Sequence, residues 1–129
     1  MKRSRFTLVI MLAAQAAAFE AGAACTAGDP NAGANESTPT SAFTIHGDGT
    51  LTHGLTGLMW KQCPQGLSGT GCATGSPTAM TWRAALVAAA ADSQAGYSDW
   101  RLPNAKELAS IIEFCGYYPS VNRVVFPGS

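Results

Sequence analysis

Asp99, Arg101 and Glu107 stand close together in the chain and could do chemistry. Two carboxylates across a turn can converge as a general acid and a general base. A guanidinium between them could contact a ligand. The surrounding stretch, Asp99-Trp100-Arg101-Leu102-Pro103-Asn104-Ala105-Lys106-Glu107-Leu108, also gives each of these groups a structural use. Pro103 drives Leu102 out of helical backbone geometry. Asn104 can cap a helix through its side-chain oxygen, and Glu107, three residues on, can reach back to the N–H of the cap. Arg101 then pairs with Glu107 or Asp99 and fixes the turn. We therefore expect Trp100, Arg101, Pro103, Asn104 and Glu107 to build a structural turn, and we assign no catalytic residue.

The other reactive residue types are sparse. His46 and His53 are the only histidines, seven residues apart on short extended runs, and are expected as exposed or edge residues rather than metal ligands. Asp48, in a Gly-Asp-Gly turn, resembles part of a calcium loop but lacks neighbouring oxygen ligands. No metal site and no cofactor is expected. Four cysteines allow three disulfide pairings. The Gly-rich stretch between Cys63 and Cys72 is flexible enough to meet disulfide geometry, which favours that bridge and leaves Cys25 with Cys115. A catalytic thiol has no nearby base in sequence.

The elements that position these residues begin after residue 23. Met1-Lys2-Arg3-Ser4-Arg5 is a basic start, Phe6 to Phe19 an apolar Ala-rich run, and Ala21-Gly22-Ala23 a cleavage site of small residues. Residues 1–23 thus read as a signal peptide and imply export to the periplasm or beyond the cell. Export makes disulfides the default state of the cysteines. Cys25 lies where a lipid-modified cysteine would, and membrane attachment requires its acylation. Gly22 three residues before it, in place of a large aliphatic residue, argues against that. The part after residue 23 holds five basic and seven acidic residues, a net charge of −2. That balance gives no electrostatic footprint for nucleic acid and does not determine the oligomeric state.

Residues 24–42 are rich in Ala, Gly, Ser, Thr and Pro and read as a flexible linker. Structure is expected from Phe43. Phe43 to His46, Thr50 to His53 and Gly57 to Cys63 are extended runs separated by Gly-rich turns, a small antiparallel meander. Residues 64–80 read as a loop. A first helix is expected from Thr81, a good N-cap, to about Asp92, with Trp82, Leu86 and Ala89 facing the core. Trp60, Trp82 and Trp100 are all expected as core aromatics. The second helix is expected from Asn104 to Cys115, with Leu108, Ile111, Ile112 and Cys115 on one apolar face and Gly116 as its left-handed cap. The fold class is α+β: a small meander plus two helices.

Several of these stretches together carry a resemblance. Gly47-Asp48-Gly49-Thr50-Leu51-Thr52, Thr56-Gly57-Leu58-Met59-Trp60, Cys63 and Cys72, Thr81-Trp82-Arg83-Ala84-Ala85-Leu86, Asp99-Trp100-Arg101-Leu102-Pro103-Asn104 with Lys106-Glu107-Leu108, and Phe126-Pro127 occur in an order and spacing similar to the Lcl C-terminal domain family. The resemblance runs from Phe43 to Pro127 and makes residues 43–129 a partial domain of this kind. Members of the family continue past Phe-Pro with a Trp- and Ser-rich stretch and further strands. The family is related to C-type-lectin-like folds and shares a pattern with the formylglycine-generating enzymes, so a partial lectin-like fold is implied. The resemblance implies an exported bacterial binding module for surface glycans or adhesion, and not an enzyme. The alternatives are a truncated structural remnant or a non-catalytic relative of the formylglycine-generating enzymes.

Overall fold

A computed structural model describes residues 36–115 and 120–129. The expected signal peptide, Cys25, most of the expected linker and Gly116 lie outside the described residues. The three extended runs form an antiparallel sheet in the order β1 (Phe43–Ile45), β2 (Thr50–His53), β3 (Met59–Lys61). Phe43 faces His53 across the first ladder and Leu51 faces Trp60 across the second. The alternation places Phe43 and Leu51 on the covered face, where they meet Ile111, Val125 and Phe126 in the core. Asp48 shapes the turn between β1 and β2: its Oδ1 accepts from the Thr50 N–H at 2.9 Å and the Thr50 hydroxyl at 2.6 Å. It is a turn-forming side chain.

His53 is not an edge residue. It is 2% exposed and stacks on Phe43, ring centres 4.9 Å apart. Its Nδ1 is 3.0 Å from the Thr56 hydroxyl. Burial lowers its pKa by disfavouring the charged ring. His46 is exposed as expected, with Nε2 2.8 Å from the Thr52 hydroxyl.

The Cys63–Cys72 bridge is present, with Cα atoms 5.4 Å apart. The stretch 64–80, expected as a loop, contains more order than expected. Strands β4 (Leu67–Ser68) and β5 (Thr74–Gly75) pair as a second small antiparallel sheet. Two glycines make this hairpin possible. A Cβ on Gly66 (φ +92°) would lie 2.2 Å from the Ser76 carbonyl oxygen, and one on Gly75 (φ +95°) 2.2 Å from that of Gly66.

Helix α1 (Trp82–Ala90) starts where expected, with the Thr81 hydroxyl accepting from the Ala84 N–H. Its expected core face is not buried. Trp82 is 69% exposed, and none of the helix residues is buried. Its least exposed positions are Ala85, Ala88 and Ala89, while the large side chains of Trp82, Leu86 and Val87 are exposed among the described residues.

Helix α2 (Ala105–Ala109) has the expected capping box but stops after five residues instead of running to Cys115. Ser110 ends it. The Ser110 hydroxyl donates to the Glu107 carbonyl at 2.7 Å, and its N–H is shared between the Lys106 and Glu107 carbonyls. Ile112 then bridges to Val121, so Ile111 and Cys115 are buried from a loop, and Leu108 is 49% exposed. The spacing of apolar residues is the same; the backbone under them is not helical.

The cause is Glu113, fully buried in the middle of this run. Its Oε1 accepts from the Ser37 N–H (3.0 Å), the Ser37 hydroxyl (2.9 Å) and the Cys115 N–H (3.2 Å). Its Oε2 accepts from the Thr38 N–H (2.8 Å) and hydroxyl (3.0 Å). Residues 36–42, the end of the expected linker, are thus docked. Asn122 holds the same segment from the other side, its amide donating to the Thr38 carbonyl (3.0 Å) and the Thr40 hydroxyl (3.1 Å). Cys115 is disulfide-bonded; its expected pairing with Cys25 lies outside the described residues. Burial alone would push the Glu113 carboxyl up. The N–H groups of Ser37, Thr38 and Cys115 and the Ser37 hydroxyl outweigh it and hold the group at about 2.

This geometry sets two expectations for stability. Glu113→Gln places an amide against donors and is expected to cost about 1–3 kcal/mol in denaturant titration. Because the folded pKa is depressed, the contribution of Glu113 is complete above its ordinary 4.5 and is lost as pH falls toward 2. The acid-induced loss of stability over that window should therefore be smaller in the variant than in the parent. Replacing Cys63 or Cys72 by Ser removes about 2–3 kcal/mol of loop-closure constraint. It should speed proteolysis within 64–71 far more than it unfolds the helices, and equal cleavage in mutant and parent would contradict this.

Candidate functional site

The sheet, α1 and the chain before α2 enclose an open cleft of about 640 Å³. Each wall follows from local sequence. β3 contributes Met59, Trp60 and Lys61, all half-buried on an edge strand. α1 contributes Ala85, Ala88 and Ala89, whose methyl groups are too short to fill the space in front of them. The alanine run that favours the helix therefore also leaves the cleft open. The third wall is the segment Tyr97 to Pro103, which has no helix or strand, and Pro103 keeps Leu102 out of helical geometry at its end.

The aromatic groups in this wall are held in place. The Trp100 indole N–H donates to the Gln94 carbonyl at 3.1 Å. Tyr97 meets Trp100 edge to face, centres 6.3 Å apart and planes at 88°. Gln94 is itself tied to the β1–β2 turn, its side-chain amide donating to the Asp48 carbonyl at 3.0 Å. Trp60 packs against the core as expected, while its buried indole N–H has no acceptor among the described residues.

Two ion pairs bracket the cleft. Lys61 on β3 reaches Asp92 just beyond α1 at 2.5 Å, with a second contact to the Gln65 side chain at 3.1 Å. This pair straps the C-terminal end of α1 to the sheet. The Lys61 ammonium and the Gln94 N–H hold the Asp92 carboxyl below its usual range. On the opposite rim, Arg101 grips Glu107 through both terminal nitrogens, at 2.8 and 2.5 Å. Glu107 also accepts from the Asn104 N–H at 2.8 Å, while the Asn104 side chain caps Lys106 and Glu107. Arg101 first, and then the Asn104 N–H, hold the Glu107 carboxyl at about 2, and Glu107 in turn raises the Arg101 pKa.

Arg101, Asn104 and Glu107 are joined by these bonds, while Trp100 is bonded to Gln94 and, with Pro103, lines the cleft. Asp99 lines the same cleft, exposed, with no hydrogen bond or ion pair among the described residues. Glu107 is bonded to Arg101 and the Asn104 N–H, with no bond to Asp99. Sequence alone missed Tyr97, Lys61 and Asp92 as cleft residues. The available signal was weak: an acid directly after an Ala-rich helix and a lysine at a strand end. Among the described residues no cluster of three or more His, Cys, Asp or Glu side chains could hold a metal ion.

Arg101→Ala should release Glu107. The Glu107 carboxyl, followed by carbon-detected NMR titration, is expected to rise from about 2 toward the ordinary glutamate range. An unchanged titration would show that the Asn104 N–H alone holds it down.

The profile of the Lcl C-terminal domain matches residues 49–129, more than half of the chain. The match includes β2, β3, both helices and every residue of the cleft wall. No curated protein and no solved structure matches the chain. The match begins after β1 and the start of the Gly-Asp-Gly turn, six residues later than the resemblance read from Phe43, and because it covers most of the chain this protein belongs to the Lcl C-terminal domain family.

Proposed function

We propose that this chain is an exported bacterial binding module that takes a glycan of the cell surface or surroundings in the cleft between β3, α1 and the 97–103 segment. The observation that carries the reading is the cleft itself. Its volume of about 640 Å³ suits a small oligosaccharide, and Trp60, Tyr97 and Trp100 line it beside polar side chains. Sugars present apolar C–H faces and hydroxyl edges, which stack on fixed aromatic rings and pair with flanking polar groups. The lectin-like relatives implied by the sequence resemblance support the same class of ligand.

Support for export comes from the signal-peptide pattern of residues 1–23. A Cys63–Cys72 bridge in the wall of the cleft fits an oxidising compartment. The reading is of recognition without turnover, and of no nucleic-acid partner, since the basic side chains of the cleft are already paired. Membrane attachment would require acylation at Cys25.

Titrating the exported form of the chain with an oligosaccharide panel, read by tryptophan fluorescence, tests this. A saturable change is expected. Trp100→Ala should weaken binding about fivefold to tenfold, the 1–1.5 kcal/mol of a lost aromatic contact. Folded protein with no saturable response to any member of the panel overturns the reading.

A further inference from the structure

Five charged side chains line the cleft: Lys61, Asp92, Asp99, Arg101 and Glu107. The two cations are both consumed. Lys61 is bonded to Asp92 and Gln65, and Arg101 is bonded to both oxygens of Glu107 and to the Leu102 carbonyl. There remains one carboxylate, Asp99, exposed and without an ion pair among the described residues. It lines the same cleft as Tyr97 and Trp100, whose rings meet edge to face at 88° and form a corner. The Trp100 ring is fixed by its bond to the Gln94 carbonyl, so this corner exists before any ligand arrives.

An aromatic corner with one uncompensated carboxylate suits a cation. An ammonium gains from the ring faces and from the carboxylate together. A sulfate or carboxylate meets the opposite situation. It would share the cleft with the unpaired Asp99 carboxylate, and the Lys61 and Arg101 charges it could engage are already balanced by Asp92 and Glu107. The other nearby basic side chains do not change this, since neither Arg83 nor Lys106 lines the cleft.

Resting on the glycan-binding reading, we propose that the cleft selects saccharides carrying a free primary amine over N-acetylated and over sulfated ones, with Asp99 as the residue that sets the preference. The ammonium sits in the corner of Tyr97, Trp100 and Asp99, and the sugar ring lies along the apolar floor of Trp60 and the α1 alanines.

Three oligosaccharides of matched length test it, each titrated against the exported chain by calorimetry: a glucosamine oligomer, an N-acetylglucosamine oligomer and a heparin fragment. The glucosamine oligomer is expected to bind about tenfold more tightly than the N-acetylated one, with heparin weakest. In Asp99→Asn, checked for fold by circular dichroism, the tenfold preference should disappear. A lysine peptide of equal charge separates sugar from bare cation. Binding as tight as that of the glucosamine oligomer overturns the saccharide assignment. Equal or tighter binding of the N-acetylated oligomer or heparin, or a preference that survives Asp99→Asn, overturns the amine selectivity while glycan binding stands. Failure of all three saccharides overturns both.

Discussion

A carboxylate sits at the centre of this small core, and much of the described structure is arranged to keep it charged. Removing Glu113 from water is expensive unless donors replace the lost hydration. Five N–H and O–H donors replace it here. Four of them come from two consecutive residues, Ser37 and Thr38, so the chain ahead of the sheet must fold back across the loop after α2. That closure fixes the turn at Thr40–Ala42, and with it the start of β1 and the position of Phe43 over the core. Asn122 completes the frame, accepting from the Val124 and Val125 N–H groups while its amide holds residues 38 and 40. The apolar core residues are few. The polar frame tells them where to meet.

The same frame explains why α2 is short. A helix through residue 115 would turn the Glu113 side chain with the helical repeat. The carboxylate instead finds backbone donors on a neighbouring segment, and Ile112 finds a bridging partner in Val121. Charge-assisted bonds to buried N–H groups are worth more than the helical bonds given up. The apolar spacing at 108, 111, 112 and 115 is satisfied in part without a helix beneath it.

The meander, the disulfide at 63 and 72, both helix starts and the Arg101–Glu107 turn were legible because each depends on neighbours in sequence. Thr81 and Asn104 each cap a helix through N–H groups within three residues, and Pro103 constrains only Leu102. The features that stayed hidden depend on partners far along the chain. Glu113 is answered by Ser37 and Thr38, and Asp92 by Lys61. His53 is buried because Phe43 lies across the ladder from it. Trp82 shows the converse: helical spacing marks a face but does not supply the layer that covers it. An acid inside the apolar run Ile111-Ile112-Glu113-Phe114-Cys115 was the one local sign that the helix would not continue.

The cleft draws its character from how its charges are spent. A general acid or base works best with a pKa near the operating pH. Arg101 and the Asn104 cap move Glu107 the other way, to about 2, and Lys61 moves Asp92 down as well. These carboxylates are therefore fixed anions at neutral pH, poor proton carriers but good struts. One strut joins β3 to the end of α1 and the other locks the turn before α2, so the walls stand apart even though the alanines between them leave the space unfilled. A rigid cavity with oriented aromatic rings is what recognition requires, because little ordering remains to be done when a ligand arrives. The ion pairs thus brace the walls of the cleft and set carboxylate against cation within it.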